Sequence, residues 1–379
     1  MTNSTPKLRF PEFRDEWQNF RFDQIFNISA GGDISGQHVR KVRDNVFRYP
    51  VYSNSSGIGL YGFSDTYKEK ADCITVTGRG TLGVAVARFE RFYPIVRLLV
   101  LRSKQQTSSV FFENAINHKR FFVESTGVPQ LTGPQIGGYK VIVPEYEEQQ
   151  KIADFLMAVD EKIAVVRKRI DLLKKYKKGV MQAIFSQTLR FKPAHRSLGG
   201  VGDENGNDFP DWEEKKLGEI FEYEQPTKYI VKSTEYSNSH KTPVLTAGKT
   251  FILGYTDETD NIFEDRLPVV IFDDFTTASQ FVDFPFKVKS SAMKILKTKN
   301  GVSPKVGYEL LRRIKFSADD HKRYWIGTFQ NFKVFIPSEA EQKKIADFLT
   351  SLDDKINLEE RKLEQANRFK KALLQQMFV

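Results

Sequence analysis

Residues Gly78-Arg79-Gly80-Thr81-Leu82-Gly83 have the spacing G-x-G-x-x-G, which in a dinucleotide fold closes a tight turn against a pyrophosphate. That chemistry needs a helix directly after the glycines and an acidic residue about twenty positions on for the ribose. Here the chain continues Val84-Ala85-Val86-Ala87-Arg88-Phe89, which alternates like a strand, and Leu98-Leu99-Val100-Leu101-Arg102 fills the stretch where the acid should fall. The motif reads instead as a glycine-flexed turn that brings backbone amides and Arg79 close to a phosphate or a base edge. A second candidate is the carboxylate pair Asp273-Asp274, suited to a metal or to acid–base work; adjacent residues on a strand point to opposite faces, which leaves one of them solvated. His38, His118, His195, His240 and His321 are scattered without metal-ligand spacing. The lone Cys73 excludes an internal disulfide or a multi-cysteine zinc site and reads as a buried strand thiol. No Walker A loop, G-x-S-x-G elbow or Asn/Asp-Pro-Pro-aromatic tetrad occurs, so neither a catalytic set nor a metal site is expected.

The elements that would position these residues come in two sets. Lys151-Ile152-Ala153-Asp154-Phe155-Leu156 recurs unchanged at Lys344-Ile345-Ala346-Asp347-Phe348-Leu349, and the match holds one offset outward. Val141 to Pro144 corresponds to Val334 to Pro337, Asp160 to Asp353, Lys177-Lys178 to Lys370-Lys371 and Phe185 to Phe378. A fainter echo opens each half, with Trp17 against Trp212 and Ile25-Phe26 against Ile220-Phe221. Each half is therefore a constant opening, a variable body and a constant tail.

The tails read as helices of about forty residues, roughly 60 Å long. Pro144 and Pro337 end the preceding strands, and Glu145, Glu147, Glu148, Glu339 and Glu341 suit helix N-termini. Apolar residues step alternately by four and three through Ile152, Leu156, Val159, Ile163, Val166, Ile170 and Leu173, and through Ile345, Leu349, Leu352, Ile356, Leu363, Ala366, Leu373 and Met377, with polar defects in the second copy at Glu359 and Lys370. Such a heptad seam predicts a coiled coil, and two matched helices in one chain most simply pair with each other. Lys177 and Lys370 take equivalent seam positions, where a cation fixes register or snorkels at a frayed end. Phe155 and Phe348 stand beside the seam, as core filling or as a docking surface for the body or another protein.

The bodies contain short β-branched runs bounded by Gly, Pro or Asp: Cys73 to Gly80, Gly83 to Phe89, Tyr93 to Arg102, Leu267 to Phe275 and Phe286 to Leu296. Helical patterns are scarcer, at Ser109 to Ser125 and Val306 to Phe316. Each body is thus a mixed sheet with one or two helices. The Gly-rich, polar stretch 193–209 reads as a linker. The boundaries are 1–144 for the first body, 145–192 for the first tail, 193–337 for the second body and 338–379 for the second tail.

A chain of 379 residues is too long for one ordinary core and suggests two or three domains. No apolar run reaches eighteen residues and the N-terminus lacks a basic-then-apolar secretory order, so a soluble, cytoplasmic protein without membrane contact is expected. The net charge of +10 is uneven: +7 over 1–144, +4 over 145–192, −1 over 193–337 and zero over 338–379. A nucleic-acid partner is plausible on that basis, with the second half binding through a few placed cations rather than a broad field.

The openings Leu8-Arg9-Phe10-Pro11-Glu12-Phe13 and Phe209-Pro210-Asp211-Trp212, the repeated strand-Pro-helix junctions and the tail Lys174 to Phe185 resemble the specificity subunit of Type I restriction-modification systems. The resemblance spans the whole chain. It implies an α+β protein with two mixed-sheet target-recognition domains separated by two long helices that form an antiparallel intramolecular coiled coil with pseudo-two-fold duplication. It also implies a non-catalytic, DNA-binding subunit that reads a bipartite double-stranded DNA site and scaffolds two methyltransferase subunits; the complex can add two restriction/translocase subunits. No cofactor is expected on this chain, since S-adenosylmethionine and ATP belong to the partner subunits. The alternative is an independent bipartite DNA-binding protein or regulator without methyltransferase partners.

Two half-sites on one face of B-DNA lie about 34 Å apart, within reach of a strut of about 60 Å. Polar loop residues with basic neighbours are the candidates for base reading: Thr77, Arg79 and Gln130 in the first body, and Lys249, Thr276, Thr277 and Arg323 in the second. Arg and Lys suit guanine, and Gln suits adenine. The coiled-coil and partner interface is expected on Ile152, Phe155, Leu156, Ile163, Ile170, Ile345, Phe348, Leu349, Ile356 and Leu363.

Overall fold

The computed structural model describes residues 5–54, 57–119, 121, 129–192, 208–248, 250–318 and 322–379. Most of the expected linker, together with His195, Lys249 and His321, lies outside the described residues. The chain divides into two compact units, Met1–Ile170 with Glu359–Val379, and Asp171–Leu358.

Unit 1 runs β1 (Gln18–Arg21), α1 (Phe22–Ile25), β2 (Phe26–Ala30), β3 (Val39–Arg40), β4 (Tyr49–Tyr52), β5 (Leu60–Ser64), β6 (Cys73–Val76), β7 (Ala85–Arg88), β8 (Tyr93–Pro94), β9 (Leu99–Ser103), α2 (Ser109–His118), α3 (Gly133–Gly138) and β10 (Lys140–Val143). The helix α4 (Tyr146–Phe185) follows and continues into unit 2. Unit 2 then has β11 (Glu213–Lys216), α5 (Leu217–Ile220), β12 (Phe221–Glu224), β13 (Thr242–Leu245), β14 (Ile252–Thr256), β15 (Val269–Asp273), β16 (Ser279–Val282), β17 (Lys287–Val288), β18 (Met293–Thr298), α6 (Pro304–Arg312) and β19 (Lys333–Ile336). The helix α7 (Glu339–Met377) starts in unit 2 and ends in unit 1.

The two bodies share a topology that their sequences conceal. Unit 1 pairs β1 with β10, orders one sheet β2-β9-β6-β7 and another β3-β5-β4-β8. Unit 2 pairs β11 with β19, orders β12-β18-β15-β16 and then β14-β13-β17. The only parallel pairs among the named strands, β4 with β8 and β13 with β17, are equivalent. Cys73 to Val76 of β6 and Val269 to Phe272 of β15 are buried at every residue rather than at alternate ones, as central strands demand. Unit 1 alone adds β3 to the smaller sheet.

Two runs expected as single strands are each broken into two. Tyr93 to Arg102 gives β8 and β9 in different sheets, because Val96 and Arg97 turn through left-handed backbone at φ 55° and 58°. Phe286 to Leu296 likewise splits into β17 and β18.

Along both long helices the predicted seam is the buried stripe. In unit 1 Ile152, Leu156, Val159 and Ile163 of α4 share one core with Leu373 and Met377 of α7 and with Phe378 just after it, and Leu363 and Ala366 pack against it. In unit 2 Met181 and Ile184 of α4 share a core with Ile345 and Leu349 of α7. Ile170 and Ile356 are also buried. Within each unit the helices run antiparallel, since early α4 meets late α7 in unit 1 and late α4 meets early α7 in unit 2. A buried leucine or isoleucine of this kind contributes about 1.5–3 kcal/mol.

The seam lysines are ion-paired rather than frayed. Lys370 Nζ donates to both Asp160 carboxylate oxygens at 2.7 Å in unit 1. Lys177 pairs with Asp353 in unit 2, where Lys305 joins the same carboxylate at 2.8 Å. Glu359, a polar defect of the seam, is buried against Arg169 at 3.4 Å and Lys362 at 2.7 Å.

At each junction a Glu-Gln pair, separated from the repeated motif by one residue, clamps the body to its helix. Glu148 accepts from the Arg9 guanidinium twice at 2.7 Å and from Trp17 Nε1 at 3.2 Å. Glu341 accepts from Arg190 at 3.2 and 2.7 Å and from Trp212 Nε1 at 3.1 Å. Gln149 receives Ser108 N at 3.1 Å and donates to Pro144 O at 2.9 Å, and Gln342 does the same with Ser303 N at 2.8 Å and Pro337 O at 2.9 Å. These glutamates are therefore buried anchors, not solvated helix-start charges.

A Leu-Arg-Phe triplet supplies both arginines, at Leu8 to Phe10 and Leu189 to Phe191. Leu8 N donates to Gln376 O at 2.9 Å and Leu189 N to Ala183 O at 3.0 Å. Phe10 and Phe191 then stand edge-on to Phe155 and Phe348 at 5.8 and 5.6 Å. The two phenylalanines expected beside the seam thus receive their own unit's opening segment.

Candidate nucleic-acid interface

In unit 1 the turn between β6 and β7 carries the G-x-G-x-x-G motif, and a strand follows it, not a helix. A Cβ at Gly78 would meet Leu131 O at 2.7 Å and Arg97 O at 3.2 Å, so only glycine allows the three loops to close on one another. Leu131 N donates to Gly78 O at 2.9 Å, and Asn54 Oδ1 accepts from Gly78 N at 2.7 Å while its amide donates to Val96 O. Gly83 has φ +77° with Phe121 against its open side. Arg79 and Gln130 come together on this frame, with Nη2 3.4 Å from Oε1. Arg97 is exposed beside them.

Thr77, expected among the base readers, is buried at 8% exposure. Its hydroxyl accepts from Val84 N at 2.9 Å and donates to Thr81 O, which commits it to shaping the turn. Cys73 is buried and its thiol is pushed up to about 12 by burial, as an inert strand cysteine should be.

Unit 2 repeats the construction with different side chains. Tyr324 N donates to Asp274 O at 2.9 Å, the counterpart of Leu131 to Gly78. On that register Phe275 stands where Arg79 does, and Arg323 where Gln130 does; the Arg323 guanidinium lies 5.9 Å from the centre of the Phe275 ring. Thr276 is exposed at the turn and Thr277 adopts φ 59°. The structure therefore brings Thr276, Thr277 and Arg323 into one loop cluster, as it does Arg79 and Gln130.

The paired acids have separate structural tasks. Asp273 ends β15, and its carboxylate accepts from Phe275 N at 2.9 Å and Thr276 N at 2.8 Å. Asp274 follows in the turn, buried, accepting from Trp325 N at 2.8 Å and facing the buried Lys294 at 3.4 Å. The two are not opposite-facing strand neighbours, and Asp274 is the more enclosed. Among the described residues no group of three or more His, Cys, Asp or Glu could hold a metal ion.

Sequence reading missed Asn54 and Arg97, which lie in segments that look like a loop after a strand and the middle of a strand. It also missed the anchors Arg9, Trp17, Glu148 and Gln149 with their second copies, although the repeated Leu-Arg-Phe triplet and Glu-Gln pair were visible.

The family model for the Type I restriction modification DNA specificity domain matches this chain twice, over residues 14–175 and 210–368. The chain belongs to the Type I restriction-modification DNA specificity family. Among curated relatives of this specificity family, the Escherichia coli Type I restriction enzyme EcoR124I/EcoR124II specificity subunit is 44% identical over 174 residues, 42% of this chain and 43% of the relative. That alignment spans less than half the relative's length. The putative MjaX specificity subunit of Methanocaldococcus jannaschii is 27% identical over 97% of this chain and 94% of its own. The crystal structure of a Type I restriction-modification S subunit from M. genitalium shares the fold, with a TM-score of 0.68 at 18% identity over 99% of each chain. No helix among the described residues of this specificity-family chain is long and apolar enough to cross a membrane.

Proposed function

We propose that this chain is the DNA-recognition subunit of a Type I restriction-modification complex, without catalytic chemistry of its own. In this reading residues 1–144 and 193–337 are two target-recognition domains, each reading half of a bipartite duplex site. The tails 145–192 and 338–379 scaffold two methyltransferase subunits, which hold S-adenosylmethionine, and the complex can add ATP-dependent restriction/translocase subunits in the cytoplasm. The observation that carries the reading is one loop construction built twice on equivalent backbone positions with unlike side chains. Arg79 with Gln130 would favour guanine or adenine contacts; Arg323, Thr276, Thr277 and Lys249 would serve the other half-site.

The partner surface is supported by matched exposed residues on the outer helix faces. Val165 and Leu358 are equivalent and 57% and 46% exposed; Tyr176 and Phe369 are equivalent and 54% exposed each. One partner type meeting both tails would need such duplication.

Two single substitutions test the reading in the complex with its methyltransferase subunit. Arg79→Ala is expected to cost about 1–3 kcal/mol in binding to the methylated site and to relax one base position of one half-site, with assembly intact. Phe369→Glu is expected to weaken co-purification of the methyltransferase. A chain that binds its site tightly alone and retains no methyltransferase would instead be an independent DNA-binding protein.

A further inference from the structure

The basic surplus of unit 1 has a structural form that unit 2 lacks. The strand β3 pairs with the edge of β5 through Val39↔Ser64 and Arg40↔Phe63, and the crossover 41–48 then leads to β4 on the other side of β5. In that crossover only Phe47 is buried. Arg40 of β3 and Lys41 and Arg48 of the crossover lie over aromatic faces, and Arg43 between them is exposed. Arg40 lies 4.4 Å from the centre of the Phe47 ring, Lys41 3.8 Å from that of Tyr61, and Arg48 5.0 Å from that of Tyr49. Tyr49 packs on Tyr67 at 4.9 Å, and Arg91 lies 5.0 Å from the Tyr67 ring centre, so Arg48 and Arg91 flank one tyrosine pair.

A cation held over a ring keeps its position and keeps its charge, whereas one held by a carboxylate loses its attraction for other anions. The acids carried by the same segments are committed elsewhere. Asp44 accepts from Val46 N at 2.8 Å and Phe47 N at 2.6 Å, Asp65 faces His38 at 2.9 Å, Glu69 is paired with Arg102, and Glu90 accepts from the Tyr52 hydroxyl at 2.6 Å. Asp44 lies within the crossover itself; the turn amides of Phe47 and Val46 hold its carboxyl below the usual range, with Arg40 adding to the effect.

The corresponding stretch of unit 2 forms no strand on β14, touching it where Ser237 N donates to Tyr255 O at 3.0 Å. There Lys232 is paired with Asp260 at 2.7 Å, and the ring-held cations stand apart, Lys228 5.5 Å from the centre of the Tyr229 ring and Lys289 5.9 Å from that of Tyr236.

We infer that the β3 crossover of unit 1, with Arg40, Lys41, Arg43, Arg48 and Arg91, is a phosphate-gripping strip for duplex DNA, distinct from the base-reading loops and present in one half only. The inference rests on the DNA-recognition reading and adds that sequence-independent affinity is supplied unequally, by the first half. Each phosphate contact contributes about 0.9 to the slope of log K against log salt.

The test uses the complex with its methyltransferase subunit, a duplex carrying the motif found by methylation mapping, and a scrambled duplex. Anisotropy titrations at several salt concentrations compare it with Lys41→Ala/Arg43→Ala/Arg48→Ala and with Arg43→Ala alone. The triple variant should flatten the slope by about two to three, and lower affinity for both duplexes by the same factor, about tenfold or more. Arg43→Ala should flatten it by about one, and Arg43→Lys should restore it. An unchanged slope overturns the strip, as does a loss confined to the mapped motif, or a loss of methyltransferase co-purification at unchanged slope. If the unsubstituted complex shows no preference for the mapped motif while the slopes still differ, the recognition reading falls and the strip stands.

Discussion

Glu148 and Glu341 each bind an arginine and a tryptophan with one buried carboxylate, which makes them the most demanding single residues of the junctions. Removing one leaves a guanidinium and an indole N–H without their acceptor, and breaking such a pair costs about 3–5 kcal/mol. Glu341→Ala should therefore lower the melting temperature by several degrees, while Asp347→Ala, an exposed neighbour, should leave it within about a degree. A second residue gives a pH-dependent prediction. Burial raises the Glu309 carboxyl above the ordinary glutamate range, against the opposing pull of Arg312, Lys177 and Lys305. Its folded form binds a proton more tightly than the unfolded chain, so its contribution favours folding at low pH. That contribution is lost as pH rises from about 4.3 through the raised value. Glu309→Gln should raise the melting temperature more at about pH 8 than at about pH 4.5, and equal gains would contradict this. Neither role could be read from residue type, because a glutamate at a helix start and one on a short helix look the same whether buried or solvated. The heptad leucines and isoleucines were legible, since a stripe of that length has one physical outcome.

Among the elements, the two seam lysines show how polar positions serve a coiled coil. Each meets an aspartate from the other helix of its own unit, and the pairing fixes one register at some cost in desolvation. A double-mutant cycle on Asp160→Asn and Lys370→Met should give a coupling energy of about 1 kcal/mol, read from urea denaturation; additive effects would make the pair incidental. The strands were visible as β-branched runs, but the breaks at Val96-Arg97 and before Met293 were not. A non-glycine left-handed turn carries no reliable sequence signal, and the exposed Arg97 was hidden inside an apparent strand for that reason. Gly78 was legible as a special turn residue, although its reason is the crowding of Leu131 and Arg97 rather than a nucleotide.

For the whole molecule, duplication explains why one backbone construction carries Arg79 with Gln130 in one half and Phe275 with Arg323 in the other. The common topology was hidden because only buried positions constrain it, and many residue combinations fill a mixed sheet. The charge difference between the halves was plain in the composition; the placing of Arg40, Lys41 and Arg48 over aromatic rings along β3 and its crossover needed the contacts. In the proposed function two unlike readers act on one duplex. This is tested most directly by expressing the chain with its methyltransferase subunit and mapping methylated adenines across the host genome. Two short words separated by a gap of fixed length are expected. A single unbroken word, or methylation without sequence preference, would contradict it.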